Sequence, residues 1–395
     1  MPVSKRRLAA ISLSAIAMAG ILSACSSDSD DADTKADAAT ASVDLAKAGC
    51  PDTIVIQTDW NPEAEHGHLY QMFGDDAVID AGKKSVSGTL MLDGKSTGVK
   101  VEVRAGGPAI GYTGVAAQMY TDKDITIGYI TTDDQIANSA KTPTKAFFAP
   151  LEKSPIMVMW DPETYPDVTD MKSAGAALAK SGGVWRYFNG SAYMEYLIDA
   201  GFVAKKNTDS GYDGTPANFV AADGKDMQQG FASAEPYIYE NEVKNWMKPV
   251  KYALLDDTGW NPYQSSMAVR AADFDGMKGC LKALTPVLQQ EEVDYFADPD
   301  AANKLILELV KQYNTGWTYS EGVAKFSYEK MLEDGLASNG DNDYIGDFDA
   351  DRMSKFFTTA ADIYKKLNTD IAPSVKAEDL YTNEFIDQSI GLPKS

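Results

Sequence analysis

Along the chain, short apolar runs bounded by glycine, proline and asparagine alternate with segments whose apolar residues recur every three to four positions. TIVIQT at 53–58 predicts a first strand, broken by Asp59-Trp60-Asn61-Pro62, with a helical run over 64–73. The polar stretch 75–98 predicts a hairpin around 88–94. Further strands are predicted at 99–103, 125–130, 147–151, 155–160, 184–188, 218–221, 250–255 and 266–269. Helices are predicted at 110–120, 168–180, 191–200 and 224–231. The segment 234–246 starts as a strand and ends as a helix, which places residues 235, 237 and 239 on one side. Beyond 274 the character is helical. Leu305, Leu309 and Tyr313 share one face, and Met353, Phe356, Ala360 and Ile363 form a second stripe. Strands alternating with helices predict an α/β chain with mixed, mostly parallel sheets.

Composition narrows the function. The 395 residues are 44% hydrophobic, enough for a substantial core, and carry a formal net charge of -22, which repels phosphate backbones and argues against nucleic acid as a partner. One stretch alone could enter a membrane, at the N-terminus. Lys5, Arg6 and Arg7 precede an apolar run over 8–22 and the sequence Leu22-Ser23-Ala24-Cys25. These are the parts of an export signal, cut after residue 24. The end of it resembles a bacterial lipobox, and that resemblance implies lipidation of Cys25 and an extracytoplasmic, membrane-anchored protein. Residues 26–43 are almost all Ser, Asp, Ala, Thr and Lys, so 25–47 reads as a disordered acidic tether. Cys50 and Cys280 are the remaining cysteines. In an oxidising compartment they either form a disulfide or stay as two buried thiols. Two histidines, His66 and His68, exclude a histidine-rich metal centre, and no metal or other cofactor is expected.

The order of elements, the segment 59–70 (DWNPEAEHGHLY), the pair Gly106-Gly107 and the segment 231–239 together resemble ABC-importer substrate-binding lipoproteins of the type II periplasmic binding protein fold. The resemblance is to the nitrate/sulfonate/taurine branch, and within it to thiamine pyrimidine precursor binding proteins. It implies two lobes, the first at 48–155 plus 265–395 and the second at 156–264, with the C-terminal helices on lobe one and a ligand cleft between the lobes. It also implies a monomer that captures a small solute and passes it to a permease and its ATPase.

The candidate ligand residues follow from position and chemistry. Trp60, just after strand one, can stack on a flat ligand. Asn61 can orient it or can be a plain Asn-Pro turn residue. His66 can bond a ring nitrogen. Gly106 and Gly107 can offer backbone amides at a helix start, or serve only a tight turn. Asn189 and Ser191 form the matching element of lobe two. Glu235, Tyr237 and Tyr239 join a carboxylate to two phenols, which suits an amino or amidine edge. The set is aromatic, amide and acidic, so a planar nitrogen heterocycle is the expected solute. A sulfonate, taurine or nitrate is the alternative, and an adhesin or surface receptor is the alternative of another class. No nucleophile elbow, phosphate loop or dinucleotide glycine pattern is present, so the chain is not expected to be an enzyme.

Overall fold

A computed structural model describes residues 41–393. The lipobox, Cys25 and most of the acidic segment lie outside them. The packed body begins earlier than Ala48: Ala41 and Leu45 donate backbone hydrogen bonds to Ser96 and Thr97, and Leu45 is fully buried. The physical reason is that Val43 and Leu45 bring apolar side chains to the hairpin edge, which the polar composition around them masks.

Strand β1 (Thr53–Gln57) leads into α1 (Gly67–Gln71). Strands β2 (Val78–Asp80), β3 (Ser85–Leu92) and β4 (Lys95–Arg104) follow, with the expected hairpin turn at Asp93-Gly94. Next come α2 (Val115–Thr121), β5 (Ile127–Ile130), α3 (Thr132–Ala137) and β6 (Thr144–Phe148). The chain then crosses to a second sheet. There β7 (Ile156–Trp160), α4 (Met171–Ser181), β8 (Trp185–Arg186), α5 (Ala192–Asp199), β9 (Thr208–Asp209), α6 (Ala217–Ala221), β10 (Met227–Phe231), α7 (Glu235–Asn241) and β11 (Lys251–Leu254) succeed one another. It returns with β12 (Ser266–Arg270) and ends in α8 (Phe274–Ala297), α9 (Asp300–Tyr313), α10 (Glu321–Glu333), α11 (Ala350–Lys366) and α12 (Ala377–Leu380).

The seven-stranded sheet runs β2-β3-β4-β1-β5-β12-β6 and the five-stranded sheet runs β11-β7-β10-β8-β9. Both are mixed. Parallel pairing joins β1 to β4 and β5, and joins β8 to β9 and β10. All other pairs are antiparallel and outnumber these, so "mostly parallel" holds only around β1 and β8. The reason is that the hairpin and the two crossing strands, β7 and β12, enter their sheets reversed.

Three local expectations are corrected. Residues 218–221 are helical, within α6, and 227–231 form the strand β10. Glu235, Tyr237 and Tyr239 lie on the helix α7, so Glu235 and Tyr239, four apart, share a face and Tyr237 points away from it. Pro236 sits in its first turn, where a missing N–H costs nothing. The C-terminal helices also do more than cover the first sheet. Helices α8 and α9 pack on α1, but α10 touches α7 and α11 touches α5, both helices of the second sheet. Among the described residues no helix is long and apolar enough to cross a membrane.

Candidate functional site

A cavity of about 430 Å³ opens where the carboxyl ends of strands from both sheets meet. That is the usual place for a ligand in an open α/β sheet. From the first sheet come the segment after β1, the turn before α2 and the end of β5. From the second come the ends of β8 and β10 and the start of α7. The crossing residues Gln264 and Ser265 and the α9–α10 loop, through Trp317, close the wall.

Three rings gather on one side. Trp60 packs edge-on to Trp317 and tilted to Tyr112, with centroids 6.0 Å apart in each case. Tyr112 is 65% exposed and holds a left-handed backbone, φ 58°, in the turn Gly111–Gly114. Across the cavity Phe188 and Tyr212 pair at 4.6 Å. Gly107 explains how Trp60 reaches its place: a Cβ there would lie 2.6 Å from the indole, and its φ of 54° favours glycine. At Gly106 a Cβ would meet the Thr58 carbonyl at 2.2 Å.

The polar lining is acidic. Asp59, Glu63, Glu65 and Glu235 all face the cavity, Asp134 stands at its rim, and no lysine, arginine or histidine lines it. Asp59 is held twice, by His66 Nε2 at 3.0 Å and by the Ser265 hydroxyl at 2.6 Å. Glu65 accepts from Ser233, and Glu235 accepts from the Phe231 amide at 2.8 Å. Glu63 is 8% exposed and its carboxylate has no hydrogen bond. Burial, then the charges of Glu65, Asp59 and Glu235, pushes its carboxyl well above the ordinary value. Gln229 Oε1 accepts from the Phe188 amide and the Tyr193 hydroxyl, which turns its Nε2 toward the cavity as a donor.

Of the residues expected from sequence, Trp60, Gly107 and Glu235 line the cavity. Others sit behind it. Asn61 is buried and accepts from Thr315 at 2.7 Å, which fixes the loop that carries Trp317. His66 orients Asp59. The Gly106 and Gly107 amides are not free, because they donate to the carbonyls of Trp60 and Asp59. The pair is therefore a tight turn beneath Trp60 and not an anion cradle. Asn189 and Ser191 do not line the cavity, and Ser191 begins α5 without a side-chain cap. Tyr239 is buried against Phe219 and accepts from Gln228, while Tyr237 packs on Phe326 and Gly322. Asp59, Glu63, Glu65, Tyr112, Phe188, Tyr212, Gln229 and Trp317 were not among the expected residues. The three acids lie inside the segment 59–70, but carboxylates in so acidic a chain look like solvated surface. Cys50 and Cys280 are joined, with Cα atoms 4.6 Å apart.

The buried acids make a pH prediction. Burial pushes Glu235 up to about 7 and, at 4% exposure on α8, Glu291 to about 8. It pushes Glu152 to about 7 despite Arg352 beside it. A carboxyl raised on folding binds its proton more tightly in the native state. Its stabilising contribution is full below the unfolded value near 4.5 and is lost as pH rises through the folded value. The thermal midpoint of the ligand-free protein should therefore fall steadily between about pH 5 and about pH 8. A midpoint that is level or rising across that window would contradict the burial of these groups.

No protein-family model matches the sequence, and no curated protein matches it either. Solved structures do resemble it. A protein of Bordetella bronchiseptica RB50 aligns with a TM-score of 0.51 at 13% identity, over 85% of this chain and 96% of its own. The periplasmic aliphatic sulphonate binding protein SsuA from Escherichia coli aligns with a TM-score of 0.51 at 10% identity, over 88% and 95%. A putative sulfonate ABC transporter component, the periplasmic sulfonate-binding protein SsuA from Methylobacillus flagellatus KT, gives 0.50 at 13%, over 85% and 93%. At such identities the likeness is one of fold, and the chain has the two-lobe α/β fold of the type II periplasmic binding proteins.

Proposed function

We propose that this chain is the extracytoplasmic solute-binding component of an ABC importer. It captures a small planar nitrogen heterocycle, such as a thiamine pyrimidine precursor, between its lobes and delivers it to a permease, without transforming it. In this reading the lipidated Cys25 tethers the protein to the membrane, and the lobes divide at about 155 and 264, where the chain passes between sheets.

The observation that carries the reading is the cavity itself. Its volume suits a single small molecule, its rings suit a flat one, and its carboxylates and the Gln229 amide suit ring nitrogens and amino groups. The sulfonate alternative fares worse. An anion needs convergent donors or cations, and here it would face Asp59, Glu63, Glu65 and Glu235 with the glycine amides already bonded.

The test is a thermal-shift and calorimetric screen of pyrimidines, other heterocycles, amines and sulfonates, together with native mass spectrometry of the untreated protein. A ligand at a hundred times its Kd should stabilise the fold by about 2.7 kcal/mol. Trp60→Ala should then weaken binding roughly 10- to 100-fold, the worth of a stacked, desolvated ring. Trp60→Phe should recover part of that loss. Unchanged affinity in a folded Trp60→Ala variant would remove the cavity from the proposal.

A further inference from the structure

We infer that the solute is a monovalent organic cation, whose positive charge Glu63 balances and whose body the rings of Trp60, Tyr112 and Trp317 enclose. The inference rests on the solute-binding reading of the cleft and names the charge of what enters it.

Three independent observations converge. The first is the inventory of partners. Asp59, Glu65 and Glu235 each have a donor within the protein, but Glu63 has none and is 8% exposed at the cavity wall. A carboxylate that faces a cavity and has no donor of its own is left for the charge of whatever enters. The second is the field. Glu65, Asp59 and Glu235 all act on Glu63 with the same sign, and no basic side chain lines the cavity to oppose them. A bound cation would relieve that repulsion. The third is the ring cluster. Two aromatic neighbours at 6.0 Å from Trp60 bring three rings around one volume, and the electron-rich faces of such rings attract ammonium and pyridinium groups.

A metal ion fits less well. Among the described residues no three His, Cys, Asp or Glu side chains gather closely enough to hold one. The aromatic lining would also be wasted on a hydrated ion. An organic cation uses both halves of the site: the carboxylate takes the charge, and the rings take the apolar groups around the nitrogen.

The test compares ligand pairs that share shape and differ in charge. N-methylpyridinium is set against toluene, and choline against its isostere with a tert-butyl group in place of the trimethylammonium. Methanesulfonate serves as the anion. Calorimetry on the purified protein should show at least one cation binding about 30-fold more tightly than its neutral partner, and no binding of methanesulfonate. Glu63→Gln should collapse that ratio toward one. Its thermal midpoint without ligand should be equal to or above that of the unchanged protein, because the amide fills the same space without the repulsion from Glu65, Asp59 and Glu235; this separates lost charge recognition from lost folding. Neutral isosteres or neutral heterocycles binding as tightly as the cations would overturn the charge assignment and leave the solute-binding reading standing. Binding of methanesulfonate, or no stabilisation by any cation at millimolar concentration, would overturn it as well. If no small molecule of the wider screen binds either, the solute-binding reading falls with it.

Discussion

His68→Ala is expected to destabilise the protein by about 4 kcal/mol, the largest effect of any single substitution near the cleft. His68 is fully buried, and its Nδ1 lies 2.5 Å from the Glu292 carboxylate on α8, itself 2% exposed. Its Nε2 lies 2.7 Å from the Tyr129 hydroxyl, and the Tyr129 ring lines the cavity floor. Removing the imidazole leaves a buried carboxyl with no partner, a phenol with no partner and a void between α1 and β5. The first loss dominates, because a buried carboxyl left without a partner costs more than either of the others. A denaturant titration measures the loss. Replacing both partners, His68→Leu with Glu292→Leu, should cost far less than the sum of the single changes, since it removes both polar groups together. A loss under about 1 kcal/mol for His68→Ala would mean that the pair is not the support described.

The two histidines divide the labour in a way that side-chain chemistry alone does not reveal. His66 and His68 are two apart, so α1 and the turn before it aim them differently. His66 fixes the acid that faces the cavity, and His68 anchors the strand behind it. His66 was legible as a site residue only through its place in the segment 59–70. His68 carries no local sign of its partner, because Glu292 is more than two hundred residues away and reads as one polar position of a long helix.

Much of the fold was legible for the usual reason. Alternation and the three-to-four repeat encode burial, and burial determines β1, the β3–β4 hairpin, β5, β7, α9 and α11. The errors fall where buried polar groups break the code. β10 reads MQQGF, and paired glutamines look like a helix surface. In the structure both are buried and bonded, Gln228 to Tyr239 and Gln229 to Phe188 and Tyr193, so tertiary hydrogen bonds override propensity. In 235–240 an alternating polar and aromatic pattern imitates a strand, yet Pro236 starts a helix. The cleft was legible in part. Trp60 follows a clear strand and a proline break, so its exposure at a strand end could be inferred. Trp317 and Tyr112 could not, because loops converge on a cavity by tertiary packing and no periodicity records it. The acids were visible but ambiguous, since among 58 acidic residues only structure separates the buried from the solvated.

Breaking the Cys50–Cys280 bridge should have an effect of similar size and a different origin. The two cysteines are 230 residues apart. Their cross-link restricts the unfolded chain over most of the length of the described body, and the loop-entropy account assigns such a closure about 5 kcal/mol. Native packing should survive its loss, because Cys50 and Cys280 are both small buried groups beside a continuous core. The double substitution Cys50→Ala with Cys280→Ala is thus expected to lower the thermal midpoint by roughly 5–10 °C. Ligand affinity should stay near its starting value. The position of the bridge gives this a functional side. Cys50 lies three residues before β1 and Cys280 lies on α8, the helix that also carries Glu292. The segment running from β1 through Asp59 and Trp60 to α1 is therefore stapled to α8 twice, covalently before β1 and through His68 on α1. Either staple alone should keep the segment in register, so His68→Ala in the bridge-free protein should lose more than the two separate losses combined. Equilibrium unfolding of the four proteins measures the difference. Strict additivity would show that the two staples act on independent parts of the fold, and that the cleft does not depend on both.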